Sequence, residues 1–171
     1  MQLREKDLTP AQLLEYAQRL RILTRAYGAK LLINDRADIA VAAEADGVHL
    51  TEHSMDIRNA RKVLGNNRLI GVSTHSFEHA RRAQEDGADY ITFSPVYFTP
   101  SKAAYGEPQG LEKLRRVCSG ICLPVFALGG ITPERQAEVQ AAGATGIALI
   151  SAIMGAENPA KGAQAFKLYL P

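Results

Sequence analysis

Tryptophan is absent from this 171-residue chain, and cysteine occurs only twice, as Cys118 and Cys122. Two cysteines four positions apart, with no matching pair elsewhere, are too few to ligate a structural zinc. They read as small buried hydrophobes in a reducing compartment. No apolar run comes near the roughly 18 residues that a membrane-crossing helix needs, so no membrane span is expected. The N-terminus, "MQLREKDLTP", is charged from its fourth residue and lacks the apolar core of a signal peptide. A cytoplasmic protein is expected. Charge of one sign is also scarce: 20 basic against 18 acidic residues leave +2. The basic residues are scattered, which argues against a nucleic-acid footprint. Small anionic ligands, needing only a few well-placed donors, stay open.

What the chain has is an alternation. Short β-rich runs at residues 2–5, 30–34, 48–50, 69–73, 90–93, 124–128 and 146–150 are separated by longer amphipathic stretches. Thr9-Pro10 reads as an N-cap with proline at the first helical position, and Gln12 completes a capping box. Thr132-Pro133 repeats that signal, and Ser76 or Ser73 can cap "SFEHARRAQED". Gly47, Gly87 and Gly143 each stand between a helix and a strand, where a left-handed residue closes the helix. A repeated βα unit predicts a parallel sheet with apolar strands buried on both faces.

Polar residues finish nearly every strand: "QLREKD", "INDR", "GVSTHS", "FTPSK", "LGGIT" and "LISA". A (β/α)8 TIM barrel gathers all strand C-termini at one mouth and explains this better than an open sheet with one switch point. Residues 1–171 are read as a single barrel domain with seven βα units, the first beginning at residue 2. The barrel is therefore expected to lack its first βα unit, as a fragment, a mis-started reading frame or an open barrel, and to self-associate through the gap.

With a first unit restored, residues 124–128 and 146–150 become strands 7 and 8, whose loops often hold phosphate in this fold. Gly129 and Gly130 let the backbone approach an anion, and Ile150-Ser151 bring further N–H groups and a hydroxyl. The alternative is a plain strand-to-helix turn. Gln2, Arg4 and Lys6 alternate along the first strand and suit a second anion cradle, with Ser73, Thr99, Ser101 and Lys102 adding hydroxyls and an ammonium. Asp35, beside Asn34, is either an ion-pair partner of Arg36 or Arg4 or a ligand for Mg2+ against a diphosphate. The pairs His49/His53 and His75/His79 have a helix-face spacing but no HExxH context.

"QLREKD", "INDR", "DGVHL", "GVSTHS", "TPSK", "GGIT" and "SAI", in this order over nearly the whole chain, resemble the thiamine phosphate synthase and TenI family. The resemblance implies a (β/α)8 barrel whose first unit precedes "QLREKD". It implies a transferase that joins hydroxymethylpyrimidine diphosphate to a thiazole phosphate and releases diphosphate with Mg2+ present. The synthase pattern places the pyrimidine diphosphate on Gln2, Arg4, Lys6, Asn34, Ser73 and Lys102, with Lys102 and Ser73 as the catalytic residues. It places the thiazole phosphate near Thr99, Ser101, Gly129, Gly130, Ile150 and Ser151, and one Mg2+ ligand on Asp35. Synthases read "GVHLGQED" where this chain reads "GVHLTEHS", so Ser54 stands at the place of the second Mg2+ ligand, with Glu52 and Asp56 nearby. TenI-type members also lose that acid. The histidine expected of a thiazole tautomerase after "ITF" is replaced by Ser94-Pro95. A TenI-like tautomerase and a non-catalytic binding barrel remain the alternatives.

Overall fold

The computed structural model describes residues 1–100 and 107–166. It is an α/β fold with seven strands: β1 (Gln2–Leu3), β2 (Leu32–Asn34), β3 (Gly47–Leu50), β4 (Leu69–Thr74), β5 (Tyr90–Phe93), β6 (Val125–Leu128) and β7 (Gly146–Ala148). Strand order is that of the chain, and the registered pairs are parallel. The helices are α1 (Pro10–Ala26), α2 (Ala37–Ala42), α3 (Ile57–Leu64), α4 (Phe77–Glu85), α5 (Gly110–Gly120), α6 (Gln136–Ala141), α7 (Ser151–Met154) and α8 (Pro159–Ala165). Among the described residues no helix is long and apolar enough to cross a membrane.

The chain divides into two compact units. Unit 1 comprises Met1–Ser73 with Glu85–Tyr90, and unit 2 comprises Thr74–Gln84 and the chain from Ile91 onward. Unit 1 buries Leu31, Ile33, Val48, Leu50 and Ile70 almost completely, against helices that present the fully buried alanines Ala17, Ala40 and Ala60. Unit 2 buries Ile91, Phe93, Leu114, Val117 and Val139 to the same degree. Each such branched or aromatic side chain contributes about 1.5–3 kcal/mol. A methyl-sized contact on the helix lets it lie close to the strands.

Strand starts are tied down by a side chain placed one residue before a neighbouring strand. Asp46, ahead of β3, accepts the Leu31 N–H at 2.8 Å and pairs with Arg21 of α1 at 2.5 Å and Lys30 at 3.2 Å. Asp89, ahead of β5, accepts the Ile70 N–H at 2.6 Å and pairs with Arg61 of α3 at 2.6 Å. Thr145, ahead of β7, accepts the Val125 N–H at 3.1 Å. These groups take up backbone N–H groups at or beside the strand starts that would otherwise need a partner.

The Thr9–Gln12 capping box is present, and Ser76 accepts the His79 N–H at 3.0 Å. Three expectations need correction. Thr132 makes no side-chain cap; its hydroxyl bonds to Glu134, and the segment opens as a 3-10 turn, Pro133–Arg135, before α6. Gly87 and Gly143 are left-handed, with φ of 94° and 96°, but Gly47 is not. After α2 the left-handed residue is Glu44, at φ 51°. Gly47 serves packing instead, since a Cβ there would lie 2.0 Å from the Leu69 carbonyl oxygen. Finally, β1 ends at Leu3, so Arg4 and Lys6 lie beyond it as exposed residues and share no strand face with Gln2.

Candidate functional site

In unit 1 the ends of β1 to β4 carry one connected polar network. Gln2 Nε2 donates to Asn34 Oδ1 at 3.0 Å, and Asn34 Nδ2 donates to Asp35 Oδ2 at 2.8 Å. The other oxygen of Asp35 accepts from the Ser54 hydroxyl and, at 3.5 Å, from the Thr51 hydroxyl. Ser54 Oγ in turn accepts the Thr51 N–H at 2.6 Å. Asp35 itself has φ 59°, a left-handed conformation that aspartate tolerates better than most residues, and its N–H donates to the His49 carbonyl at 3.0 Å. Arg36, one of the cations considered as its partner, is instead paired with Asp38 at 2.5 Å.

The Asp35 N–H bond to the His49 carbonyl leads to a second cluster, around the side chain of His49, a residue that the sequence offers only as a metal ligand. In the β2–β3 register Asn34 stands beside His49. His49 is buried, with Nε2 at 2.9 Å from Ser73 Oγ and Nδ1 at 2.9 Å from Tyr90 Oη. Burial pushes its pKa down to about 4, opposed only by the charge of Asp35, so the imidazole is neutral near pH 7. Burial also raises the pKa of Tyr90, which stays a phenol. The spacing of the histidine pairs gave no hint of this arrangement, because both partners come from other strands.

Unit 2 builds its polar surface differently. Gly129 and Gly130 follow β6 with φ of 103° and 62°, and beside them lies a pocket of about 90 Å³. Thr99, Ile150, Ser151 and Ser94 also line it. The segment after β5 crosses the turn closely: Val96 N–H donates to Leu128 O at 2.9 Å and Tyr97 N–H to Gly129 O at 3.0 Å. A Cβ on Gly129 would lie 2.7 Å from Pro95, and one on Gly130 would lie 2.5 Å from the Phe98 carbonyl oxygen. The glycines are thus required by the chain's own close approach as well as by backbone angle. Arg135 donates to Gly130 O at 2.8 Å and lies over the Tyr97 ring at 4.4 Å, while Tyr97 Oη donates to Glu138 at 2.6 Å. Ser101 and Lys102 lie outside the described residues.

The residues present fit a metal only in one form. Asp35 is a single carboxylate among neutral oxygen donors, and Mg2+ commonly binds through one or two carboxylates with substrate phosphate oxygens completing the shell. Asp56 is committed to capping α3, accepting the Asn59 N–H at 2.8 Å, and Glu52 is exposed. Among the described residues no group of three or more His, Cys, Asp or Glu converges on a metal position. His75 Nδ1 is engaged with Ser94 O at 2.7 Å. The cysteines are not the pair of buried hydrophobes expected: Cys118 is half-buried, with its thiol pushed up to about 11 by burial, and Cys122 is exposed.

Comparison with known proteins agrees with the motif order. The family model described as thiamine monophosphate synthase matches residues 1–153. A Geobacter sulfurreducens protein, to which the name thiamine-phosphate synthase is provisionally given, is 56% identical over all of this chain and 80% of its own length. The thiamine-phosphate synthase of Moorella thermoacetica is 43% identical over 96% of this chain and 78% of its own. Among solved structures, the thiamine phosphate pyrophosphorylase of Pyrococcus furiosus superposes with a TM-score of 0.88 at 39% identity, covering 96% of this chain and 78% of that one.

Proposed function

The chain belongs to the thiamine monophosphate synthase family, and from that premise we propose that it is a transferase joining hydroxymethylpyrimidine diphosphate to thiazole phosphate with release of diphosphate. The observation that carries this reading is the single network through Gln2, Asn34, Asp35 and Ser54 at the strand ends of unit 1. Its members include Gln2 and Asn34, two of the side chains that the synthase pattern assigns to the diphosphate, and Asp35, assigned to its metal. The same proposal takes residues 1–171 as one domain and the α/β fold as a (β/α)8 barrel, supported by parallel strands in chain order.

In this reading Gln2, Asn34 and Ser73 bind the pyrimidine diphosphate, with Arg4 and Lys6 adding positive charge. Asp35 would hold Mg2+, which when bound neutralises charge on the phosphate oxygens. The Gly129–Gly130 turn and the Ile150–Ser151 backbone bind the thiazole phosphate, with Thr99 and Ser101 supplying hydroxyls. Lys102 meets the charge that builds on the departing diphosphate. The C–O bond breaks with its electron pair leaving on oxygen, and the thiazole nitrogen attacks the pyrimidine-stabilised carbocation. Charge stabilisation of the leaving group is the expected source of rate.

Ser54 in place of an acid favours a second reading, a TenI-like thiazole tautomerase. One experiment separates the two. Incubation of both phosphorylated precursors with Mg2+ should yield thiamine phosphate, and Lys102→Ala should lower kcat by about 10²–10³. No thiamine phosphate from the wild-type protein, with thiazole phosphate still bound in calorimetry, would overturn the synthase reading.

A further inference from the structure

We infer that Tyr90 and His49 form a positioning relay for Ser73: the Tyr90 phenol donates to His49 Nδ1, which places the imidazole proton on Nε2, and Nε2–H donates to Ser73 Oγ. The serine's own O–H is thereby turned away from the imidazole. The role of Ser73 rests on the function proposed above; the hydrogen-bond order does not.

Both ring nitrogens are engaged at the same distance, 2.9 Å, so the imidazole is held at two ends. The histidine and tyrosine ring centroids lie 5.7 Å apart, with the rings tilted by 37°. Gly71, two residues before Ser73, opens the space for the phenol: a Cβ there would lie 2.0 Å from Tyr90 Cζ and 2.2 Å from Oη. Any side chain at that position would push the hydroxyl off His49. The pairing therefore has a dedicated opening in β4.

The direction of donation follows from acidity. A phenol is a much stronger acid than the N–H of a neutral imidazole, so the phenol is the donor between them. The bond at one ring nitrogen then fixes the proton on the other. Ser73 accepts from Nε2–H, so its own O–H donates in another direction, the polarity suited to a substrate oxygen gaining negative charge. His49 and Tyr90 are positioning residues, acting through Ser73.

The test combines side-chain 15N NMR of His49 with kinetics of the intact protein on the two phosphorylated precursors with Mg2+. The wild-type protein should show the Nε2–H tautomer, and Tyr90→Phe should release the ring into a mixture of tautomers. Tyr90→Phe should lower kcat by about 10-fold at little-changed KM, as for outer hydrogen-bond partners of functional histidines. His49→Gln, whose amide can still donate, should recover part of the activity lost in His49→Ala. An Nδ1–H tautomer in the wild type, or Tyr90→Phe with unaltered tautomer and kcat, overturns the relay. If wild-type protein makes no thiamine phosphate, the proposed function fails, while the NMR measurement on that protein still decides the relay.

Discussion

Unit 1 builds its polar site from side chains, and unit 2 builds its own from backbone. In unit 1, carboxylate, amide, hydroxyl and imidazole groups from β1 to β4 and the loops after them hold one another in place. In unit 2, two left-handed glycines and a close crossing segment expose backbone around a small pocket. The difference teaches where substitution should separate binding from folding. A side chain in unit 1 can be exchanged with the main chain left alone. Unit 2 allows no such exchange at its glycines, because the feature that would bind is also the packing.

The largest effect is expected in unit 1 from Asp35→Asn. Asparagine tolerates the left-handed backbone at this position. Its Oδ1 can still accept from Asn34, and its Nδ2 can donate to the hydroxyls that donate to Asp35. The charge is thus lost with little change in hydrogen bonding. Synthase turnover should fall by about 10²–10³, the range for losing one electrostatic stabiliser, with the melting temperature nearly unchanged. A melt that drops in parallel with activity would break the distinction between the units.

Gly130→Ala in unit 2 should do the opposite and damage both properties together. A left-handed backbone costs an L-residue about 1–2 kcal/mol, and the added Cβ would meet the Phe98 carbonyl oxygen at 2.5 Å. A combined loss of about 2–5 kcal/mol in denaturant melts is expected, since overpacking adds roughly 1–3 kcal/mol. Weaker thiazole phosphate binding should accompany it. Full stability with lost binding would show that the turn is looser than its packing implies.

A smaller effect concerns acid. Burial acts to raise the Asp46 pKa, but the Leu31 N–H, Lys30 and Arg21 together outweigh it and hold the carboxyl below its ordinary value. The stability this supplies is present above the unfolded pKa of about 3.9 and is lost as pH falls through the folded value. Amide exchange in β2 should accelerate over that window in the wild type. In Asp46→Asn the rate should already be raised at pH 7, by an amount equivalent to about 1–2 kcal/mol, and change less with acid. An acid profile unaltered by the substitution would remove Asp46 from the account.

The smallest change sharpens the metal question. Ser54 already reaches the Asp35 carboxylate, so Ser54→Asp should set a second acid beside the first. Apparent Mg2+ affinity measured with diphosphate present should tighten several-fold, about 1 kcal/mol, since Mg2+ is commonly held by one or two carboxylates. No tightening would mean that the loop from Thr51 to Asp56 serves another purpose.

The alternation of strands and helices, the parallel sheet, the Thr9 capping box and the left-handed Gly87 and Gly143 were all legible in the chain, because each depends on neighbours within a few residues. The strand-end position of Asn34, Asp35 and Ser73 was legible for the same reason: periodicity says where a strand stops. The pinning of strand starts by Asp46, Asp89 and Thr145 left only a faint trace, in "ADGV", "ADYI" and "ATGI". Its meaning depends on an N–H 15 to 20 residues away. Gly47 read as a helix stop and proved to be a point of contact with Leu69.

By itself the sequence determined the βα order, the family and the residue types at each strand end, since these follow from local patterning and motif order. Only the tertiary structure decided that Arg36 belongs to Asp38, that Ser54 belongs to Asp35, and that His49 bridges Tyr90 and Ser73. Those pairings join residues on different strands, or choose between a near and a far partner. Local propensity carries no information about which side chains neighbouring strands bring within 3 Å. That distance is fixed by strand register and by a glycine such as Gly71, which leaves room for another residue's ring.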